Sequence, residues 1–184
     1  MRSWDTAKRP PTAAEWSRAR EALREANALD PAQPAYLEDL GRLYEVRAQP
    51  LAPGDALARE YLQQSLEYQR AALRRRPGSP YTWANIALLK LKLEALDAEF
   101  ERALRNAALL GPWEPGVQIA VADSGLAAWS RLGPEARAAV SADLARGSRW
   151  LSASMIEIAR RARRLDVLCS LPEMRSSPGA GACI

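Results

Sequence analysis

The same four-residue bracket occurs three times: Pro31-Ala32-Gln33-Pro34, Pro77-Gly78-Ser79-Pro80 and Pro112-Trp113-Glu114-Pro115. Taken alone, Pro-x-x-Pro reads as a polyproline ligand. The flanking residues give it another role. Five positions before each first proline stands an alanine: Ala26, Ala72 or Ala107. Three before that stands Leu23, Gln69 or Leu104, and four further back Ala19, Ser65 or Phe100. Three positions after each second proline comes Leu37, Trp83 or Gln118, then, three beyond, Leu40-Gly41, Ile86-Ala87 or Val121-Ala122. Spacings of three and four mark one face of an α-helix. A proline cannot continue a helix, but it suits the first turn of the next one, where its missing N–H costs nothing. Each bracket therefore reads as a joint between consecutive helices, and the small residues beside it allow close packing.

The intervals agree independently. Pro31 to Pro77 and Leu37 to Trp83 are both 46 residues; Pro77 to Pro112 and Trp83 to Gln118 are both 35. The pattern resembles the tetratricopeptide repeat (TPR), a helix–turn–helix unit of about 34 residues with W-x2-L-G-x2-Y…A-x3-F…P spacing. Leu37-x2-Leu40-Gly41-x2-Tyr44 matches its first half, and Ala19-x3-Leu23-x2-Ala26-x4-Pro31 its second. The later units depart from it: Lys90 replaces the tyrosine, and Gln118 and Gly125 stand at the same places in the last unit. The resemblance implies an all-α fold, a right-handed α-solenoid of about three TPR-like helix pairs closed by C-terminal capping helices. The excess length of the first interval is expected in a loop at about 46–58, which holds Pro50, Pro53 and Gly54, although residues 54–58 are also compatible with an extended helix.

The expected layout has a lead at 1–11, then helices at 12–30, with Thr12 as N-cap, 34–47, 55–76, 80–94, 97–110, 115–131, 134–149 and 152–164. Residues 12–112 form the repeats. Residues 113–171 form the last repeat and caps, with 165–171 closing the stack, and 172–184 read as a disordered tail. Trp83, Trp129 and Trp150 are expected in the core. Trp113, in a joint, either wedges between units or makes an exposed contact. Trp4 is expected to be exposed, where it can meet a partner or a second copy.

Composition removes several functions. The chain of 184 residues has no histidine and two cysteines, Cys169 and Cys183. Ser-His-Asp and Cys-His catalysis, histidine metal sites and a disulfide framework are therefore excluded. Hydrolysis by carboxylate pairs such as Glu99 with Glu101, or Glu114 with Asp123, is the remaining enzymatic option. The expectation is no enzyme, no cofactor and no metal. The net charge of +4 comes from arginines, notably Arg74-Arg75-Arg76 and Arg160-Arg161-Ala162-Arg163-Arg164. They read either as cations offsetting helix C-terminal dipoles or as a patch for RNA or acidic polysaccharide. No apolar run approaches the ~18 residues of a membrane span, and the first residues do not make a signal peptide.

Function follows from the resemblance. TPR-like stacks grip a protein or peptide in a groove lined by the first helix of each pair. Carried over, the groove positions are Glu38, Arg42 and Glu45, then Tyr81, Asn85, Leu88 and Lys92, then Ile119 and Asp123. The mixed set argues against a carboxylate clamp of the co-chaperone kind. A narrower resemblance rests on Leu109-Leu110-Gly111-Pro112-Trp113-Glu114-Pro115, on Val121-Ala122-Asp123-Ser124-Gly125-Leu126-Ala127-Ala128-Trp129, and on the ending Arg164-Leu165-Asp166-x2-Cys169-x-Leu171-Pro172. These are similar to the VpsP-type TPR proteins of bacterial exopolysaccharide gene clusters. That resemblance implies a non-enzymatic scaffold meeting synthesis or export components on the periplasmic side of the inner membrane, often behind an N-terminal anchor. A chain complete as it stands would instead be soluble and cytoplasmic. A general TPR adaptor or co-chaperone, and binding of an anionic polymer, are the alternatives. Self-association is a further partner class, and nucleic acid is not the expected one.

Overall fold

The computed structural model describes residues 11–52 and 54–183. Among them every regular element is helical: α1 (Ala13–Leu29), α2 (Pro34–Ala48), α3 (Ala56–Arg75), α4 (Pro80–Lys92), α5 (Ala98–Leu110), α6 (Pro115–Ala127), α7 (Pro134–Ser148), α8 (Ser152–Arg161), α9 (Leu165–Ser170) and α10 (Pro172–Arg175), with 3₁₀ turns at Trp129–Arg131 and Ala180–Cys183. Helix starts follow local chemistry. The Thr12 hydroxyl accepts the Glu15 amide while the Glu15 carboxylate accepts the Thr12 amide, a closed capping box. Asp55 accepts the amides of Leu57 and Ala58, and Asp97 those of Glu99 and Phe100.

The three proline brackets adopt one conformation. The residue before each first proline donates its amide to the phased alanine, at 3.0 Å in all three: Asp30 to Ala26, Arg76 to Ala72, Gly111 to Ala107. Those residues have φ/ψ of −130/78°, −137/76° and −123/50°. Before each second proline, Gln33, Ser79 and Glu114 lie at −77/113°, −77/108° and −88/111°. Pro34, Pro80 and Pro115 then open α2, α4 and α6.

The chain divides into two compact units, Met1–Pro77 and Gly78–Ile184. In the first, α2 packs between α1 and α3 around Trp16, Leu23, Leu37, Leu40, Leu43 and Ala72. α2 lies tightly against α3 at Gly41. A Cβ there would stand 2.6 Å from Gln69 Nε2 and 3.2 Å from the Ser65 carbonyl. Ser65 donates to the Gly41 carbonyl at 2.7 Å, and Gln69 to that of Glu38 at 3.3 Å.

In the second unit each helix from α4 to α8 packs on the next, and α4, α5 and α6 also pack on α6, α7 and α8 respectively. Phe100, Ile86, Leu104, Leu126, Leu144 and Met155 are fully buried in this core. Two charged groups are buried with them. Lys90 Nζ reaches Asp97 and Glu99, both at 2.8 Å. Burial pushes the Asp97 carboxyl up, but the Lys90 bond and the Phe100 amide outweigh it, and its pKa falls below the usual value. Asp143, wholly inaccessible, bonds Arg146 at 3.1 Å, and Arg146 also donates to the Ala108 carbonyl.

Several sequence expectations are corrected here. The extra length of the first interval is mostly helix rather than loop: α3 has 20 residues against 13 in α5, and the connection holds only residues 49–55. Asp55 starts α3 early, and Ala58 already belongs to it. The tail from Pro172 is not a free coil. Met174 is fully buried, and Cys169 and Cys183, set aside as too few for a framework, form a disulfide with Cα atoms 5.5 Å apart. Composition argued for coil, but this tertiary anchor overrides it. Trp150 is 48 % exposed because it follows the end of α7 instead of lying on a helix face, and Trp83 and Trp129 are half-buried. α8 stops at Arg161, with Arg163 in a left-handed turn at φ 55°. Trp4 lies outside the described residues.

Candidate interaction surface

Three helices of the second unit lie in a row, since α4 packs on α6 and α6 on α8. The positions singled out on α4, Tyr81, Asn85, Leu88 and Lys92, recur every three or four residues and so share a face. Tyr81 and Lys92 are exposed, Asn85 and Leu88 half-buried. On α6, Ile119 is 39 % exposed and Asp123 half-buried. Contacts stitch the row along this face. The Tyr81 hydroxyl donates to Glu114 at 2.7 Å, and its ring lies so close to Gly116 that a Cβ there would be 3.3 Å from Cε1. Asp123 accepts from Arg161 of α8 at 2.7 Å. The bond to Glu114 raises the Tyr81 pKa, helped by burial; the bond to Asp123 raises that of Arg161. Tyr81 and Ile119 are the exposed apolar groups of this face, beside the Tyr81–Glu114 hydrogen bond and the Asp123–Arg161 ion pair. Trp113, at the α5–α6 joint, is 61 % exposed, so of the two sequence alternatives it takes the exposed one.

The remaining groove positions, Glu38, Arg42 and Glu45, lie in the first unit on α2 at i, i+4 and i+7. Glu38 pairs with Arg76 at 2.7 Å, and Arg42 with Asp39 at 3.7 Å. Glu45 is half-buried.

Three arginines of the two clusters are drawn into internal contacts. Arg75 donates to Asn27 Oδ1 at 2.8 Å, Arg76 to Glu38, and Arg161 to Asp123. The carboxylates considered for hydrolysis are engaged as well. Glu99 holds Lys90, Glu101 accepts the Gly133 amide at 2.7 Å, Glu114 accepts Tyr81, and Asp123 accepts Arg161. Among the described residues no three acidic or cysteine side chains converge where they could hold a metal ion. Nor is any helix there long and apolar enough to cross a membrane.

One cluster was missed in the sequence. Trp16 packs edge-on to Tyr44 with centroids 5.2 Å apart, and Tyr61 and Tyr68 extend the group, 6.2 and 5.5 Å from Tyr44. Arg20 and Arg47 lie over the Trp16 ring at 4.9 and 5.8 Å. The Trp16 indole donates to the Leu43 carbonyl at 3.0 Å. The available signal was the i, i+4 pair Trp16–Arg20 and the i, i+7 pair Tyr61–Tyr68. Comparison with models of protein families, with curated proteins and with solved structures returns no match.

Proposed function

We propose that this chain is a non-enzymatic TPR-like scaffold, a right-handed solenoid whose α4–α6–α8 face binds a protein partner. The observation that carries the reading is that face: one surface made by alternate helices, apolar at Tyr81 and Ile119 and framed by the Glu114–Tyr81 and Asp123–Arg161 contacts. Such a surface suits an extended or helical segment with apolar anchors between polar groups. The equivalent dihedral angles of the three proline joints support the repeat assignment. Exopolysaccharide assembly as the setting rests on the resemblance of residues 111–129. The Cys169–Cys183 pair lends it support, because disulfides persist in oxidising compartments such as the periplasm.

The test is capture from a bacterial envelope extract. The parent chain should retain polysaccharide synthesis or export components, and Tyr81→Ala with Ile119→Asp should lose them with its unfolding curve unchanged. Recovery of only cytosolic chaperones or RNA, or equal capture by the variant, would reject the proposal. Binding of an anionic polymer has less support, since Arg75, Arg76 and Arg161 are committed to internal partners.

A further inference from the structure

The last helix of the row has two flanks with different neighbours. At 100° per residue, Arg161 turns towards α6, where it holds Asp123, while Ala153, Ile156 and Arg160 turn the other way. That second flank meets the C-terminal segment. Together with Pro178, Gly179, Gly181 and Ala182, the residues Ala153, Ile156, Glu157 and Arg160 border an open depression of about 500 Å³. The segment touches down on Ile156 through Gly179. A Cβ at that glycine would press on Ile156 Cδ1 and stand 2.8 Å from Met174 Cε, so the backbone lies directly on these two side-chain ends. Its far end packs on α9 and α10. α10 has four residues, the closing 3₁₀ turn four, and most of its hydrogen bonds span two or three residues. What ties the far end back is the Cys169–Cys183 disulfide, which joins it to α9 across 14 positions. Both cysteines are partly exposed and therefore open to thiol exchange.

We propose that Cys169 and Cys183 are a redox latch: oxidised, they hold residues 176–183 against the outer flank of α8, and reduced, they release that cover and expose Ile156 at the end of the α4–α6–α8 row. The co-reactant is a dithiol reductant of the thioredoxin kind. Its thiolate attacks one cysteine sulfur, the S–S bond breaks, and the other sulfur leaves as a thiolate. The second reductant thiol then resolves the mixed disulfide. The chain gains two electrons and two protons, and the reductant departs as its own disulfide. Met174 is buried at the base of the strap, so the hinge lies between Met174 and Gly179, and lifting the strap uncovers Met174 as well as Ile156. The functional consequence, a longer partner surface, rests on the scaffold reading; the latch itself does not.

Hydrogen exchange on the full chain tests it, with and without a dithiol reductant. The expected result on reduction is at least a roughly tenfold rise in exchange across residues 176–183 and a smaller rise around Ile156, with α1–α5 unchanged. Cys183→Ser without reductant should reproduce it. Unchanged exchange at 176–183 after reduction would show that the strap needs no bond. Melting of the whole second unit would make the disulfide a global staple. Alkylation of both thiols in protein held in an oxidising glutathione buffer would show that the bond does not form. Each of these three overturns the latch without bearing on partner capture.

Discussion

Asp143 pays the electrostatic cost of the second core. Its environment is dry, and one carboxylate oxygen has no hydrogen-bond partner among the described residues. Burial pushes its pKa from 3.8 up to about 6, against the lowering pull of Arg146. The folded state then holds this proton more tightly than the unfolded chain does. Stability from this group is full below about pH 4 and falls as pH rises to about 6, beyond which it levels off. The swing is on the order of 3 kcal/mol. Asp143→Asn should therefore gain on the parent between pH 4 and pH 7 by about that amount, read from denaturant midpoints at the two pH values. Gly41 is the second sensitive residue. Gly41→Ala drives a methyl into Gln69 and the Ser65 carbonyl, and should cost about 1–3 kcal/mol of first-unit stability in urea unfolding.

Individual elements were largely legible in the sequence, for a physical reason. Proline at the first helical position and Thr12, Asp55 and Asp97 as caps act locally, so their effect is visible without tertiary information. The start of α3 was legible at Asp55, but Pro50 and Gly54 advertise a loop to about residue 58, longer than the connection at 49–55. The strap was illegible, since its order comes from Met174 and a bond between residues far apart in sequence. For the candidate face, the register gave Tyr81 and Asp123 but not their partners Glu114 and Arg161. Arg161 lies on a helix outside the three-phase pattern. Two element-level tests follow. α4 and α8 end in the same motif, the amides of Ala95 and Arg164 reaching back to the carbonyls of Lys90 and Ala159, with Glu94 and Arg163 at φ 57° and 55°. Glycine adopts that φ without the steric cost, so Glu94→Gly should raise stability by about 1 kcal/mol, measured as a higher urea midpoint. Lys90→Ala removes a buried stem together with its bonds to Asp97 and Glu99; it should cost about 2 kcal/mol, and Lys90→Met less, by the same measurement.

At the scale of the whole molecule, the sequence and its folded form agree on a chain made of repeated joints, and each joint is built from its own few residues. In every case the same alanine carbonyl receives the turn, and the same proline starts the next helix. The exchange itself is local, though neighbouring joints touch it: Arg75 donates to the Gln33 carbonyl at 3.4 Å, and Gly111 packs against Pro80. A gene encoding such a chain can therefore duplicate or delete a stretch from one joint to the next and keep the turn and the helix start intact, leaving the packed faces to be matched again.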